Sequence, residues 1–180
     1  MVTVRTIEER DAEPFLALST RLDEETDFRL LEAGERRTTV EEQRETIKRL
    51  RSTENQTILV AEVDRRLVGY IAGIGGKYRR NRHSATVVVA VLQAFSGRGV
   101  GTKLFEALET WAVEQGIHRL ELTVMVHNER AIGLYEKLGF QREGRKRDVL
   151  RVSGEYVDEV LMAKLPQEPT ENERGQSAPP

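Results

Sequence analysis

The sequence predicts an α/β (α+β) fold in which a mixed sheet of about seven strands is flanked by about four helices. Runs rich in β-branched residues alternate along the chain with stretches in which apolar residues recur at helical spacing. Pairs of strand-like runs are separated by short polar turns, which is typical of hairpins. The resulting order, β-α-α-β-β-β-α-β-α-β-β, predicts a mixed sheet and excludes an all-parallel, doubly wound one.

In the N-terminal half, each predicted element is bounded by a local signal. Asp11 is a candidate N-cap for the first helix, which has Pro14 in its first turn. Thr39 and Glu42 have the spacing of a capping box at the start of the second helix. A polar turn at residues 64–66 joins two strands into a hairpin. The predicted strands cover residues 2–7, 57–63 and 67–74, and the predicted helices cover residues 14–22 and 40–51.

In the C-terminal half, strands and helices alternate before a final hairpin. The Val-rich strand at residues 85–91 is followed by a glycine-rich turn and by a helix that ends near Gly116. Asn128 is a good N-cap for the last helix, and Gly139 is placed to end it. Ser153 and Gly154 form the turn of the final hairpin. The predicted strands cover residues 85–91, 120–126, 142–151 and 156–165, and the predicted helices cover residues 103–113 and 129–138.

Composition favours a soluble, cytoplasmic protein. The chain has 180 residues, a net charge of −2 and interspersed acidic and basic residues, so its totals indicate neither nucleic acid nor a membrane surface as a partner. It contains no cysteine, which excludes disulfides, thiolate zinc sites and a cysteine nucleophile. We predict no signal or membrane-spanning segment, one domain over residues 1–165, and a disordered, proline-rich tail over residues 166–180.

The most informative stretch is the glycine-rich turn at residues 96–102, between a strand and a helix. Gly97, Gly99 and Gly101 alternate there, and the backbone N–H groups of such a turn converge at the positive end of the helix dipole. This pattern favours an anion site, most often one for phosphate. A turn whose glycines serve packing alone is the alternative. The spacing matches neither the Rossmann fingerprint nor a Walker A loop.

A second segment, residues 122–140, points to a family. It contains Asn128, Tyr135 and the ending Leu138-Gly139-Phe140, and it follows the glycine turn at the family's usual distance. With both segments, the chain resembles the GCN5-related N-acetyltransferase (GNAT) superfamily, in particular its small bacterial, single-domain members. The resemblance implies a twisted, mostly antiparallel sheet whose fourth and fifth strands splay apart, with acetyl-CoA bound as co-substrate in the gap.

The resemblance also implies which residues bind acetyl-CoA. The backbone of the glycine turn would hold the pyrophosphate and Arg98 would add charge-assisted contacts, while Ser96 stands where the family has glutamine or arginine. Backbone groups of the Val-rich strand would bind the pantetheine arm, and an amide near Val91 would polarise the acetyl carbonyl. The implied cofactor-binding residues are Val89, Val91, Ser96, Gly97, Arg98, Gly99, Val100, Gly101, Thr102 and Asn128.

Tyr135 is the residue that the resemblance implies as catalytic. It would donate a proton to the coenzyme A thiolate as it leaves, and a phenol with a pKa of about 10 suits that role. It follows Asn128 by two helical turns, so both face one side of a helix. A plain N-cap and a core aromatic are the structural alternatives for the two residues. Because the chain has no cysteine, the amine is expected to attack acetyl-CoA directly in a ternary complex.

The residue that takes the proton from the amine stays open. Glu25, Asp27, His83 and Glu121 are candidate relays, and the first three are also candidate acceptor-binding residues. No metal is predicted, because the three histidines lack the spacing of metal ligands.

The acceptor stays open as well, between a small amine and a peptide N-terminus. An acidic region at residues 23–42 favours a cationic acceptor such as a polyamine, with a solvated acidic surface as the alternative. A basic stretch at residues 77–82 indicates instead an acidic acceptor or the 3′-phosphate of the cofactor. The rival functions are a coenzyme A-binding sensor without catalysis and a nucleotide-binding domain. Exposed strand edges near the C-terminal hairpin are compatible with a homodimer.

Overall fold

The computed structural model describes residues 1–166, and these contain seven strands and four helices in the predicted order. The strands are β1 (Thr3–Thr6), β2 (Gln56–Val63), β3 (Arg66–Gly75), β4 (Ser84–Val91), β5 (Arg119–Met125), β6 (Gln141–Val152) and β7 (Glu155–Lys164). The helices are α1 (Ala12–Glu25), α2 (Val40–Arg51), α3 (Val100–Glu114) and α4 (Glu129–Lys137). The tail predicted at residues 166–180 lies outside the described residues, apart from Pro166.

The seven strands form one mixed sheet with the order β1-β2-β3-β4-β5-β7-β6. Neighbouring strands are antiparallel except for β4 and β5, which are parallel and lie at the middle of the sheet. The predicted mixed, mostly antiparallel sheet flanked by helices is therefore confirmed. Its one parallel pair is the place where the chain crosses over through α3.

Helices cover both faces of the sheet, as the alternation of side chains along β3 shows. Tyr70 packs edge-to-face on Phe15 of α1, with 5.0 Å between the ring centroids. Gly73 has the opposite parity, and a Cβ there would lie 2.8 Å from the Trp111 ring of α3. The first two helices thus cover one face and α3 the other. None of the helices within residues 1–166 is long and apolar enough to cross a membrane.

Two of the three predicted N-caps, Thr39 and Asp11, behave differently. Thr39 forms the predicted capping box, because its hydroxyl accepts from the Glu42 amide at 3.2 Å and the Glu42 carboxylate accepts from the Thr39 amide at 2.8 Å. Asp11 is the N-cap residue of α1, as predicted, but its side chain forms no capping hydrogen bond. Its carboxylate instead accepts from the Arg5 guanidinium at 2.6 Å and from the Glu8 amide at 2.8 Å. An ion pair with Arg5 stabilises the carboxylate more than a neutral amide would.

Candidate active site

Strands β4 and β5 pair over only a short stretch and then separate. Their parallel ladder joins Ser84, Ala85 and Thr86 to Arg119, Leu120 and Glu121. Beyond this ladder β4 continues to Val91 and β5 to Met125, and within residues 1–166 the two strands make no further pairs. The predicted splay is confirmed, and a gap opens between the carboxyl ends of the two strands.

The peptide groups of alternate β4 residues face this gap. The Leu92 amide donates to the Val68 carbonyl at 2.9 Å, and the Gly76 amide donates to the Ser84 carbonyl at 3.0 Å. The even-numbered residues of β4 therefore direct their peptide groups at β3. Because the direction alternates along an antiparallel ladder, Val89 and Val91 direct theirs away from β3, toward the gap.

The turn after β4 leaves backbone donors without partners. Gly97 and Gly99 have φ values of 75° and 77°, which favour glycine, and Gly99 directly precedes α3. The first N–H groups of α3 have no preceding turn of helix to bond, and no side chain caps them. A Cβ at Gly101 would lie 3.3 Å from the Leu134 side chain of α4. The turn therefore presents free donors directly beside α4.

Two arginines add positive charge to the turn. The Arg98 guanidinium lies over the ring of Phe95, 5.7 Å from its centroid. Sequence reasoning missed Arg130, whose Nη2 lies 3.3 Å from the position of a Cβ at Gly97. Neither arginine forms an ion pair with any acidic side chain of residues 1–166. The sequence signal for Arg130 was its place two residues after Asn128, at the start of the last predicted helix.

Tyr135, on α4, is buried in a cluster of aromatic rings. Its ring centroid lies 5.7 Å from that of Phe105 and 6.1 Å from that of Phe140, which fixes the ring. Burial raises the pKa of Tyr135 to about 12. Tyr135 is only 8% exposed, and its hydroxyl forms no hydrogen bond with the described residues.

Asn128 combines a structural task with a free donor. It is the N-cap of α4, and its side-chain oxygen accepts from the Ala131 amide at 3.3 Å. The plain N-cap considered above is thus present. The amide nitrogen of the same side chain takes no part in this cap and forms no hydrogen bond with the described residues.

The loop between α1 and α2 crosses the carboxyl ends of the splayed strands. Phe28 in this loop packs on His127, which follows β5, with 5.1 Å between the ring centroids. At the end of α1, the Glu25 carboxylate accepts from the Gln93 amide at 2.8 Å, just after β4. The loop therefore contacts the segments that follow both strands and forms a roof over the gap.

An ion cluster inside this roof holds the loop to the sheet. Asp23 accepts at 2.7 Å from the Nε of both Arg29 and Arg36, and Arg29 Nη2 lies 3.1 Å from the Tyr70 hydroxyl on β3. Burial raises the pKa of Asp23, but the hydrogen bonds from Arg36 and Arg29 outweigh it and hold that pKa below its ordinary value. We call Asp23, Arg29 and Arg36 the roof cluster.

Several carboxylates of the acidic region have structural partners, although Glu24, Asp27, Glu32, Glu35, Glu41 and Glu42 are exposed. Asp23 is neutralised in the roof cluster, and Glu25 binds Arg21 at 3.0 Å as well as the Gln93 amide. Glu35 accepts from the Glu32 amide at 2.8 Å, and Glu42 belongs to the capping box. Asp27 is exposed in the roof loop. Most of the carboxylates that favoured a cationic acceptor thus have structural partners.

Two sequence-predicted features lie at the other end of β4. His83 directly precedes this strand, and its carbonyl accepts from the His118 and Arg119 amides at 2.8 and 3.1 Å, where the strands are paired. The basic stretch at residues 77–82 lies in the loop before the same end. The whole of β4 separates both from the glycine turn, so the structure does not bring His83 or this basic stretch together with the turn residues.

Glu121 lies on the last rung of the β4–β5 ladder, where the gap begins, and its carboxylate accepts from Arg119 Nε at 2.9 Å. Among residues 1–166 no three His, Cys, Asp or Glu side chains form a group that could hold a metal ion.

A sheet whose one parallel pair splays beside a glycine turn is the fold of the GNAT acetyltransferases. A GNAT-family acetyltransferase from Streptococcus pneumoniae matches with a TM-score of 0.89 and 30% identity, over 92% of this chain and 99% of that one. The yncA protein of Salmonella typhimurium, solved with its cofactor acetyl-CoA, has the same fold, with a TM-score of 0.82, 20% identity, and 100% and 98% of the two chains covered.

The model of the family described as "Acetyltransferase (GNAT) family" matches residues 20–140, so the chain belongs to this family and is an N-acetyltransferase. It is 34% identical to the L-amino acid N-acetyltransferase AaaT of Escherichia coli over 59% of this chain and 67% of that protein. It is 32% identical to the [ribosomal protein uS5]-alanine N-acetyltransferase of E. coli over 56% of this chain, but only 52% of that protein's length.

Proposed function

We propose that the protein transfers an acetyl group from acetyl-CoA to a primary amine by direct attack in a ternary complex, with Tyr135 as general acid. One observation carries this proposal: β4 and β5 separate beside an uncapped glycine turn, and α4, which carries Tyr135, packs next to that turn through Leu134. The acceptor is the amine of a small molecule or of a peptide N-terminus. The cytoplasmic location and the homodimer remain predictions from the sequence.

The residues around the gap fit acetyl-CoA. The free amides from Gly97 to Thr102 are suited to a pyrophosphate, which the dipole of α3 would also favour. The guanidinium groups of Arg98 and Arg130 supply the charge that the short Ser96 side chain cannot. The gap-facing peptide groups of Val89 and Val91 are suited to the amides of the pantetheine arm. Acetyl-CoA supplies the chemistry as an acetyl thioester with an electrophilic carbonyl.

The chain's own groups then manage charge and protons. The Val91 amide would donate to the carbonyl oxygen as negative charge develops there. As the new C–N bond forms and the C–S bond breaks, the Tyr135 hydroxyl would donate its proton to the departing sulfur. With its pKa raised to about 12, Tyr135 holds that proton throughout the physiological range. The same burial would raise the pKa of a coenzyme A thiol beside Tyr135. The pKa values of the proton donor and of the departing thiol would therefore stay close.

The relatives support an α-amine as the nucleophile. One is named for amino acids and the other for the alanine of a ribosomal protein. Glu25 remains a candidate relay, with one carboxylate oxygen accepting from Arg21 and the other from the Gln93 amide.

The test is detection of free coenzyme A thiol with acetyl-CoA and a panel of amino acids, peptides, polyamines and aminoglycosides. We expect turnover with at least one α-amine. A parallel thermal-shift series compares acetyl-CoA, coenzyme A, ATP and NAD, since a ligand that binds only the native state raises Tm. A shift with acetyl-CoA but no turnover over the whole panel would support a non-catalytic sensor, and a shift with ATP alone would contradict the proposal.

A further inference from the structure

The roof cluster carries one more positive charge than its internal partner can balance. Two guanidinium groups share the single carboxylate of Asp23, and the side chains of Asp23, Arg29 and Arg36 are only 2%, 15% and 17% exposed. Neither arginine forms an ion pair with a second acidic group of residues 1–166. A net charge held this far out of water is costly unless an anion joins it.

The unused donors of the cluster reach open space. Arg29 uses Nε for Asp23 and Nη2 for Tyr70, while Arg36 uses only Nε. Arg29 Nη1 and both terminal nitrogens of Arg36 have no partner, and no fully buried polar side-chain atom in the described part of the chain lacks one. The side chains of Arg29 and Arg36 are 15% and 17% exposed, so part of each side chain reaches the surface. The paired terminal nitrogens of Arg36 match the two oxygens of a carboxylate.

The cluster lies beside the position at which the amine must react. Tyr70, which Arg29 contacts, pairs with Ala90 on β4, and the next residue is Val91, whose peptide group faces the gap. Phe28, next to Arg29 in the chain, packs on His127, which directly precedes Asn128. Arg29 is thus held beside the end of β4 that borders the gap, and Arg36 is joined to it through Asp23.

We infer that the roof cluster binds the carboxylate of the acceptor, so that the substrate is a free α-amino acid; this inference rests on the proposed function. In an amino acid the amine and the carboxylate share one carbon, so an anion held at Arg36 positions the amine over the gap. A polyamine would bring positive charge to an already cationic cluster. A peptide N-terminus has an amide in place of the carboxylate and leaves the charge unbalanced.

The first test compares acceptors on the wild-type protein. L-Alanine, L-leucine and L-phenylalanine are assayed by coenzyme A release against their carboxamides and against the corresponding amines without a carboxylate. We expect kcat/KM for an amino acid to exceed that for its amide by about tenfold or more, since hydrogen bonds to a charged group contribute about 1.5–3 kcal/mol. Equal values for acid and amide, or turnover of polyamines and peptides alone, overturn the inference while leaving the proposed function intact.

The second test uses Arg36→Gln, with Arg37→Gln as matched control because Arg37 is the exposed neighbour. We expect Arg36→Gln to raise KM for the amino acid about tenfold while leaving KM for acetyl-CoA and kcat/KM for the amide near wild type. Arg36→Lys keeps the positive charge and serves as the test if Arg36→Gln does not fold. It should give a KM for the amino acid between those of the wild type and Arg36→Gln. Equal losses for acid and amide would show that Arg36 only holds the roof. Absence of turnover with every amine, together with no thermal shift by acetyl-CoA, would instead reject the proposed function.

Discussion

A glycine lies near each end of strand β4, and the two are required for different reasons. At the start, Gly75 is the last residue of β3; its amide donates to the Asn55 carbonyl at 2.9 Å, and a Cβ on it would lie 2.3 Å from that oxygen. At the end, a Cβ on Gly99 would meet nothing within 4 Å, and its φ of 77° is what requires glycine. The Gly75 amide thus has a partner within the fold, whereas the amides of the glycine turn are free. We therefore expect changes at the start of β4 to alter stability and changes at its end to alter catalysis.

The largest effect is expected from Tyr135→Phe, at the open end. The variant keeps the ring that packs on Phe105 and Phe140 and removes only the hydroxyl. We expect kcat to fall about 100-fold or more, the usual range for loss of a positioned proton donor, with KM for acetyl-CoA and Tm near wild type. Steady-state kinetics and thermal unfolding measure both; full activity would remove the proposed role of Tyr135.

The pH profile of the wild type adds a second measurement on the same hydroxyl. The general acid must be protonated, and burial raises the pKa of Tyr135 to about 12. The profile of kcat should therefore rise as the acceptor amine loses its proton and should show no decline from Tyr135 up to about pH 10. A descending limb below that pH that is absent in Tyr135→Phe would contradict the raised pKa.

The next largest effect is expected from Gly75→Ala, at the closed end. The new methyl group would meet the backbone oxygen and the side-chain amide of Asn55, both 2.3 Å away, and a backbone oxygen cannot swing aside. We expect the free energy of unfolding to fall by about 1–3 kcal/mol or more, with kcat per folded molecule unchanged. Urea unfolding is the measurement. Gly144→Ala is the control, because a Cβ there meets nothing within 4 Å; equal stability of the two variants would refute the packing argument.

Much of this comparison could be predicted from the sequence, because it depends on local patterns. Apolar residues that recur with a period of two residues in strands and of 3.6 residues in helices were sufficient to predict the element order and the mixed sheet. Gly97 and Gly99 identified the turn, and the segment from Asn128 to Phe140 identified the family. Turn and cap chemistry acts between residues close in sequence, so it is visible without the fold.

The sequence could not predict what depends on contacts between distant segments. From the sequence, Asp23 could not be distinguished from a surface carboxylate, because its contact with Arg36 depends on how the loop between α1 and α2 folds. His83 directly precedes β4, but it lies at the end of that strand away from the glycine turn. Arg130 gains its meaning only when α4 packs beside the turn. Irregular loops have no period to reveal which side chains they bring together.

A smaller effect is expected from Gly99→Ala, which introduces backbone strain in the glycine turn at the end of β4. A non-glycine residue in the left-handed conformation costs about 1–2 kcal/mol, and relaxing that strain would redirect the first amides of α3. We expect a modest loss of stability with a several-fold rise in KM for acetyl-CoA. Gly116→Ala is the matched control, since Gly116 has a φ of 67° and open space but lies at the other end of α3. A similar rise in KM for both variants would mean that strain alone accounts for the effect.

The smallest effect is expected from removing one charge at each end of β4. Arg130→Gln takes away the guanidinium beside Gly97, whereas Arg80→Gln takes one from the exposed loop before the strand. We expect the first to raise KM for acetyl-CoA about fivefold, equivalent to about 1 kcal/mol, and the second to leave it unchanged. Because the contact is between charges near the surface, the difference should shrink as salt is raised from 50 to about 500 mM. If Arg80→Gln raised KM as much as Arg130→Gln, overall charge rather than position would attract the cofactor, and the functional contrast between the two ends of β4 would not hold.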